Sequence, residues 1–416
     1  MKVYNIAIIL SQVYGVTSFA FTQANNARRG IAPSHSKSGR QLLSPVAFSE
    51  DLSKAGVGTN EKTYHPLIRQ QGVSEKISYD AIQDLIDVSK PYYNLKDETI
   101  IADSTTGEFN GFAATVTPEM PLSYESGTMT AAEAGRHTAI AGSVAAALLN
   151  QEAGTGGKHY YLALDANLRQ EPANSKIRES FDKVSPPTKK GDAKVFAHAT
   201  DVNKRGATAE VYLLTDDDTM WHITVTYKII PFKLFDRFFP MSVDSSLTGP
   251  WDPSTPNPYT KGIGTYITPQ PSAHWNDPSV YECKSHLPET VPSLCTGHFD
   301  TNPCFPVAFM CSHLFNIGAK SVAELAGVSL LYTRRNNNGD DNIPRNSVTI
   351  KDLVLDAQTL CMAGTYGLNV ECKTEFNPDH KDGPVYETEI KVTSDSAEKH
   401  DVATVKVTYA LNDGAF

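Results

Sequence analysis

The feature that most limits how this chain can fold is a long helix with almost no polar face. The segment from Thr130 to Asn150 reads TAAEAGRHTAIAGSVAAALLN, and small apolar residues recur throughout it. A helix that is apolar on nearly all sides is buried on most of them. We therefore expect other elements of the chain to surround this helix.

The stretch that follows alternates between apolar and polar residues with a period of two. In TMWHITVTYKII, Trp221, Ile223 and Val225 share one face while His222 and Thr224 share the other, which is typical of a strand with one buried face. The polar stretch 171–192 is predicted to be a long loop. The other strands expected in this half are His159 to Leu168, Lys194 to Val202 and Ala207 to Leu214.

The same order of elements recurs after a proline-rich stretch. Residues 240–262 hold five Pro with several Ser, Thr and Gly, and this composition favours a semi-extended connector. A second helix is expected from Phe305 to Ile317 or beyond. The strands expected around it are near Ser279 to Lys284 and at Val348 to Cys361, Gly367 to Phe376, Val385 to Thr393 and Ala403 to Leu411.

A single long apolar helix wrapped by a twisted antiparallel sheet is the hotdog architecture, so the pattern predicts an α+β fold with two hotdogs in tandem, a double hotdog. The predicted domains are a targeting presequence, an N-terminal extension with an amphipathic helix over Ser74 to Ser89, a first hotdog domain, the proline-rich linker and a second hotdog domain. Their boundaries are 1–49, 50–98, 99–239, 240–262 and 263–416.

The first 49 residues have the composition of a targeting segment, with five cationic residues and no Asp or Glu. An apolar stretch from Ile6 to Phe21 suits a signal-peptide core, and Val16 and Ser18 precede a cleavage site before Phe19. The following TSFAFTQANNARRG resembles the aromatic-led junction of the bipartite presequences that carry proteins into the secondary plastids of diatoms and related algae. The resemblance implies the plastid stroma; an ordinary secretory signal is the alternative.

Charge and cysteine content exclude several classes of protein. A formal net charge of −10 argues against a nucleic-acid binder that works through bulk charge. No later segment is long and apolar enough to be an integral membrane span. The six Cys all fall in the last third without a CxxC pair or a zinc spacing, so we expect thiols, with a disulfide between two of them left open.

The motif that carries chemistry is HFDTNPCFP at residues 298–306, directly before the second predicted helix. His-Phe followed by two spaced prolines resembles the 3-hydroxyacyl thioester dehydratases of fatty-acid synthesis. The resemblance implies that His298 is the catalytic base and that Val307, where the family usually has Gly, offers its backbone N–H to the thioester oxygen. It also implies a thioester on acyl carrier protein or CoA as substrate, and no cofactor and no metal.

The family's general acid lies about two turns past the second proline, where this chain has Ser312 and His313, neither of them a carboxylic acid. In a double hotdog the acid can come from the other half. We predict Glu133 for this role, although Thr130-x-x-Glu133 equally fits a helix-capping pattern. His137, four residues later on the same face, fits a core histidine or an orienter of Glu133. Ser312 and His313 are predicted to line the substrate pocket.

Three functions remain open at this point. The leading one is a dehydratase or hydratase of 3-hydroxyacyl thioesters in fatty-acid or polyketide-like metabolism, because dehydration needs one imidazole and one carboxylic acid. The second is an acyl thioesterase with water as nucleophile. The third is a redirected hotdog that binds or isomerises an apolar ligand such as a plastid pigment. A tandem hotdog can also pair again into a homodimer.

Overall fold

The computed structural model describes eleven stretches of the chain. The predicted presequence and Cys361 lie outside them. The described residues are 72–103, 109–152, 158–184, 189–238, 251–270, 277–288, 292–299, 302–331, 346–360, 367–397 and 399–412.

The described strands form one thirteen-stranded antiparallel sheet. In chain order they are β1 (Gly72–Lys76), β2 (Leu95–Asp103), β3 (Phe109–Val116), β4 (His159–Pro172), β5 (Ala193–Thr200), β6 (Gly206–Leu214), β7 (Thr219–Pro231), β8 (Thr268–Pro269), β9 (Val280–Leu287), β10 (Ser347–Ala357), β11 (Leu368–Asn377), β12 (Val385–Ser394) and β13 (Asp401–Asn412). Their order across the sheet is β1-β2-β3-β5-β6-β7-β4-β10-β13-β12-β11-β9-β8.

Five α-helices accompany the sheet among the described residues. They are α1 (Tyr79–Ile86), α2 (Ala131–Glu152), α3 (Ser175–Val184), α4 (Phe232–Phe238) and α5 (Val307–Ala326). The long helices α2 and α5 are the two predicted from the sequence. They contact each other, α2 also packs against β3, β5 and β6, and α5 packs against β9 and β11. A central helix with an antiparallel sheet around it fits a hotdog fold.

Two elements differ from the sequence prediction. The helix predicted from Ser74 to Ser89 is restricted to α1, because residues 72–76 pair with β2 as a strand instead. The stretch predicted to be a long loop contains α3, which buries Ile177, Phe181 and Val184 against the outer side of the first sheet half. The sequence analysis does not predict this amphipathic helix because its charged residues outnumber the apolar residues that recur at helical spacing.

The two halves of the sheet join where β4 pairs with β10. Leu168 lies opposite Leu353, and Ala166 lies opposite Leu355. We call this β4–β10 pairing the seam. The strand order is equivalent on the two sides of the seam. On one side it runs outwards from β4 through β7 to β1, and on the other it runs outwards from β10 through β13 to β8.

Both central helices carry the same packing device at the same position. Gly142 and Gly318 are each the twelfth residue of their helix. Each lies against a sheet tyrosine, Tyr227 or Tyr409, and a Cβ on either glycine would overlap the tyrosine oxygen. The Tyr227 hydroxyl donates to the Ala139 carbonyl at 2.7 Å, and the Tyr409 hydroxyl donates to the Phe315 carbonyl at 3.1 Å. The halves therefore repeat in detail as well as in topology.

Candidate functional site

The HFDTNPCFP motif leads into α5 as its prolines predict. Pro306 is the N-cap, with φ −65° and ψ 126°, and its carbonyl accepts the Met310 N–H at 2.9 Å. Proline supplies no side-chain cap, so the first-turn amides of α5 are not bonded by their capping residue. Phe299 turns the chain with a positive φ of 61° and is buried. The start of α5 thus offers backbone N–H donors three residues after Cys304, which lies within the same motif.

His298 is partly buried and is oriented by Cys304. Its Nδ1 lies 3.0 Å from the Cys304 carbonyl oxygen and 3.2 Å from the Cys304 Sγ. Burial lowers the pKa of His298 to about 4, although the hydrogen bond to Cys304 opposes that shift. The imidazole is therefore neutral at physiological pH. With Nδ1–H donating to the carbonyl, Nε2 carries the lone pair and can accept a proton.

A segment of the first half lies directly across this motif. Residues 88–92, which we call the crossing segment, begin with a bridge between Val88 and His298. The Ser89 N–H donates to the Gly297 carbonyl at 2.8 Å, and Gly297, with a φ of +81°, has no room for a Cβ beside the Ser89 carbonyl. The Tyr92 ring then packs edge-on against His298 with 4.8 Å between ring centroids. The site is thus built by both halves.

Arg136 of α2 holds the crossing segment in place. Its side chain is fully buried and donates to the Tyr92 carbonyl from Nε and to the Pro91 carbonyl from Nη2, each at 2.8 Å. Its Nη1 forms an ion pair with Glu119 at 2.6 Å. The guanidinium also lies against the rings of Tyr92 and Tyr259, 5.0 and 4.8 Å from their centroids. Arg136 is therefore a buried residue that holds the crossing segment in place.

Glu133 is fully buried and is bound by backbone amides. Its Oε1 accepts the N–H groups of Glu119 and Met120, the latter at 3.0 Å. Its own N–H donates to Thr130 Oγ1 at 3.2 Å, so one half of the predicted capping pattern is present. The contacts that His298 makes among the described residues go to other groups. That Glu133 faces His298 remains a prediction.

The remaining predicted residues make contacts of their own. His137 Nε2 is 3.8 Å from Glu133 Oε1, both side chains are buried, and burial lowers the pKa of His137. His313 Nδ1 contacts Thr265 Oγ1 at 3.2 Å, and burial followed by the Lys320 charge lowers the pKa of His313 to about 4. The Ser312 hydroxyl donates to a carbonyl of its own helix, that of Phe309, at 2.7 Å.

A small apolar cavity lies between the two central helices under the seam. It has a volume of about 40 Å³, and we call it the seam cavity. The first, fifth and ninth residues of both helices line it. These are Ala131, Gly135 and Ala139 in α2 and Val307, Cys311 and Phe315 in α5. Apolar residues of β4, β7 and β10 complete its wall. Val307 is the one predicted substrate-binding residue that lines it.

Sequence reasoning missed three residues of this region. Cys304 was visible inside the motif, but its contact with His298 depends on a turn that spacing does not reveal. Tyr92 carries no sequence signal, because the crossing segment is remote from the motif along the chain. Glu125 precedes α2 and accepts the Ala131 N–H at 2.7 Å; burial raises its pKa to about 8, with the charge of Glu133 adding to that rise.

Comparison with known proteins gives structural likeness only. No family model matches the chain, and no curated protein is similar to it in sequence. The TesB protein of Mycobacterium avium subsp. paratuberculosis is 8% identical, with a TM-score of 0.39 over 72% of this chain and 92% of that one. The acyl-CoA thioesterase II TesB2 of Mycobacterium marinum is 8% identical, with a TM-score of 0.38 over 81% and 99%.

A hotdog-fold protein of unknown function from Alicyclobacillus acidocaldarius is 9% identical, with a TM-score of 0.33 over 82% of this chain and 100% of that one. Identities and scores of this size do not assign chemistry. The resemblance to the dehydratases therefore rests on the motif alone. Among the described residues, no cluster of three or more His, Cys, Asp or Glu is placed to hold a metal ion. None of the described helices is long and apolar enough to cross a membrane.

Proposed function

We propose that this protein is a double-hotdog thioesterase that hydrolyses acyl thioesters, with His298 as general base. The observation that carries the proposal is the state of His298. Its imidazole is neutral, its Nδ1 is held by the Cys304 carbonyl, and Cys304 lies three residues before the uncapped start of α5. A neutral, oriented imidazole next to helix-start amides combines a proton acceptor with donors for an oxyanion.

The polar groups around His298 favour hydrolysis over removal of water from a 3-hydroxyacyl chain. Dehydration also needs an acid to protonate the departing hydroxyl, and the family's acid position is the sixth residue of the central helix. In α5 this residue is Ser312, whose hydroxyl is bonded to its own helix, and in α2 it is Arg136. Neither side chain can supply that proton. Glu133, the acid predicted from the other half, has its Oε1 bound by the amides of Glu119 and Met120. Hydrolysis requires only that the base deprotonate water.

The reaction then runs in two steps. His298 takes a proton from water as the water oxygen attacks the thioester carbon, and the first-turn amides of α5, with that of Val307 foremost, hold the developing oxyanion. The tetrahedral species collapses with cleavage of the C–S bond, and the proton on His298 passes to the departing thiolate. The products are a free acid and a thiol.

The seam cavity is the proposed receptor for the end of the acyl chain. It begins at Val307, the residue assigned to the oxyanion, and its wall is formed by apolar side chains of both halves. An apolar wall near the thioester selects an alkyl group over a polar one. The thiol carrier, CoA or acyl carrier protein, would remain outside this cavity.

The tandem arrangement and the cellular address are part of the same proposal. The matching glycine and tyrosine positions of α2 and α5, and the symmetric strand order about the seam, support two hotdogs fused in one chain. Residues 1–49 are proposed to direct the chain to the plastid stroma. Fusion of these residues to a fluorescent protein tests the address: retention in the endomembrane system would instead indicate an ordinary secretory signal.

The test of the activity is release of free thiol from a series of acyl-CoA thioesters of increasing chain length. We expect His298→Gln to lower kcat/KM by about 10²-fold or more, as for loss of a general base. His286→Gln is the matched control, because His286 is half-exposed on β9 and pairs with Asp395. Substrates with a 3-hydroxyl are included in the series. Loss of water from these substrates without release of thiol would contradict the thioesterase proposal and support dehydratase activity instead.

One observation favours a second function, storage or binding of an apolar molecule. The crossing segment and the Arg136 cluster fill the space beside His298 with protein side chains, whereas the seam cavity is apolar and open enough for a small group. If no thioester is turned over, retention of an apolar fluorescent probe that Gly135→Leu abolishes would support this binding role.

A further inference from the structure

Two cysteines of the second half face each other across neighbouring strands. Cys283 of β9 and Cys372 of β11 are register partners in an antiparallel pairing that runs without a bulge over eight residue pairs. Directly opposed residues in such a pair have Cα atoms about 4.5 to 5.5 Å apart. This separation lies inside the range of about 4.4 to 6.8 Å that a disulfide requires.

The two side chains also lie on the same side of the sheet, towards α5. The Cys372 thiol hydrogen-bonds to Cys283, and Ser321 of α5 contacts both sulfurs. Thr374, two residues after Cys372, donates to Ser321 Oγ at 2.8 Å. The two thiols therefore lie close together within a small cluster of hydroxyl groups.

The local electrostatics give the two thiols different roles. Hydrogen bonds from Cys372 and Ser321 lower the pKa of Cys283, whereas the hydrogen bond to Cys283, with burial, raises the pKa of Cys372. The thiolate is the attacking species in disulfide exchange. Cys283 also lies on the strand nearer the edge of the sheet, so it is the first nucleophile, and Cys372 is placed to resolve the product.

The position in the sheet provides a route for an oxidant. Beyond β9 the described part of the sheet has one more strand, the two-residue β8, in which Pro269 is the register partner of Cys283. Both thiols are buried, with exposed fractions of 1% and 4%. A short terminal strand of this kind opens at lower free energy than the centre of a sheet, and its opening exposes Cys283 first.

The other described cysteines lack this arrangement. Cys311 lines the seam cavity and its pKa is raised to about 12 by burial. Cys304 contacts His298, and Cys295 is buried in the turn before the motif. None of these three lies on a strand opposite another described cysteine.

We propose that Cys283 and Cys372 are a redox modification site that closes to a reversible disulfide between β9 and β11. With a low-molecular-weight disulfide as oxidant, the Cys283 thiolate attacks one of its sulfurs and releases one thiol. The Cys372 thiolate then attacks Cys283 in the mixed disulfide and releases the second thiol. The protein pair loses two protons and two electrons, and these convert the oxidant into two thiols. The proposal does not depend on the thioesterase activity.

The test is incubation of the whole folded chain with glutathione disulfide, followed by unfolding, alkylation and peptide mapping. We expect a cross-linked peptide pair containing Cys283 and Cys372, the loss of two alkylatable thiols per chain, and a rise in Tm of about 5 °C that dithiothreitol reverses. Cys283→Ser and Cys372→Ser should each abolish the cross-link. Cys311→Ser, which removes a buried thiol without a partner, should leave it unchanged.

Three results would overturn the proposal. One is glutathione left on Cys283 without closure onto Cys372. Another is a cross-link to a different cysteine. The third is full retention of both thiols in the wild-type chain after a day under conditions in which a control peptide dithiol is oxidised. Because all three are observed in the wild-type chain, a folding defect in a variant cannot obscure the outcome.

Discussion

The two central helices have the same position in the fold but differ in the residues that could do chemistry. Each has a histidine as its seventh residue and a glycine as its twelfth, and each glycine receives a sheet tyrosine. The sixth residue, in contrast, is Arg136 in α2 and Ser312 in α5. The residues that hold each helix against its sheet are thus the same in both halves, whereas the polar residues near the helix starts differ.

The loops before the helices show the same division. Ser123 and Phe299 both stand eight residues before their helix with positive φ values, 56° and 61°. The preceding residues are Leu122 and His298. Only the second-half loop therefore has an imidazole, and that imidazole meets the crossing segment of the first half. The contacts between His298 and the crossing segment are therefore asymmetric, although the helices and strands around them are nearly symmetric. We call these contacts the asymmetric site.

The largest contrast is expected at the sixth helix position. Arg136→Met should lower the free energy of unfolding by about 3 kcal/mol or more, because it leaves Glu119 and two carbonyls of the crossing segment without their donor. Ser312→Ala should change it by less than about 0.5 kcal/mol, since its hydroxyl bonds only to its own helix. Denaturant unfolding measures both. Equal losses would show that the position matters equally in both halves.

A smaller effect, equal in both halves, is expected at the twelfth position. Gly142→Ala and Gly318→Ala should each destabilise by about 1 to 3 kcal/mol, because the added methyl meets the tyrosine oxygen. Gly135→Ala is the control in α2: no atom lies within 4 Å of the new methyl, so the better helix propensity should stabilise by about 0.5 kcal/mol or more. If alanine is tolerated at one of the two glycines and not at the other, the two helices are not packed against their tyrosines in the same way.

A further contrast is the opposite pH dependence of two buried groups, Glu125 before α2 and His313 in α5. The folded chain keeps a proton on Glu125, whose pKa is raised to about 8, so this group costs stability as the pH rises from about 4.5 to 8. The pKa of His313 is lowered to about 4, so between about pH 6.5 and 4 His313 is protonated in the unfolded chain but not in the folded chain. This group therefore lowers the stability of the folded chain as the pH falls through that range.

Stability measured across pH should separate the two groups. In a plot of the free energy of unfolding against pH, Glu125→Gln should reduce the fall towards high pH, the alkaline arm. His313→Gln should reduce part of the fall towards low pH, the acid arm, to which His298 also contributes. At about 1.4 kcal/mol per pKa unit, each arm is expected to change the free energy of unfolding by about 3 kcal/mol or more. A Glu125→Gln variant that keeps the full alkaline arm would show that Glu125 is ionised in the folded chain.

Much of the frame could be predicted from the sequence, and most of the site could not. The two long helices and nine of the thirteen described strands follow from the sequence pattern. A strand buried on one face has a period of two, and a helix buried on nearly all sides is apolar throughout. The repeat itself is visible in the spacing of His137 to Gly142 and of His313 to Gly318. The helix α3 was missed because its charges outnumber its apolar residues.

The partners of His298 were not predictable for a different reason. Helical spacing tells which residues share a face, but not what that face contacts. Glu133 shares a face with His137, yet its carboxylate is bound by the amides of Glu119 and Met120. Tyr92 reaches His298 through a loop whose path only the folded chain defines. Long-range contacts of this kind leave no local pattern.

The crossing segment also has a consequence for synthesis of the chain. The Ser89 amide bonds to the Gly297 carbonyl, so roughly 200 residues must be translated after the donor before its acceptor exists. At about 5 to 20 residues per second this takes 10 s or more. The first half therefore leaves the ribosome before the loop that carries His298 has been made. Tyr92, which packs against His298, and Arg136, which holds the Tyr92 carbonyl, are in place before that loop. The asymmetric site can assemble only once the second half has folded.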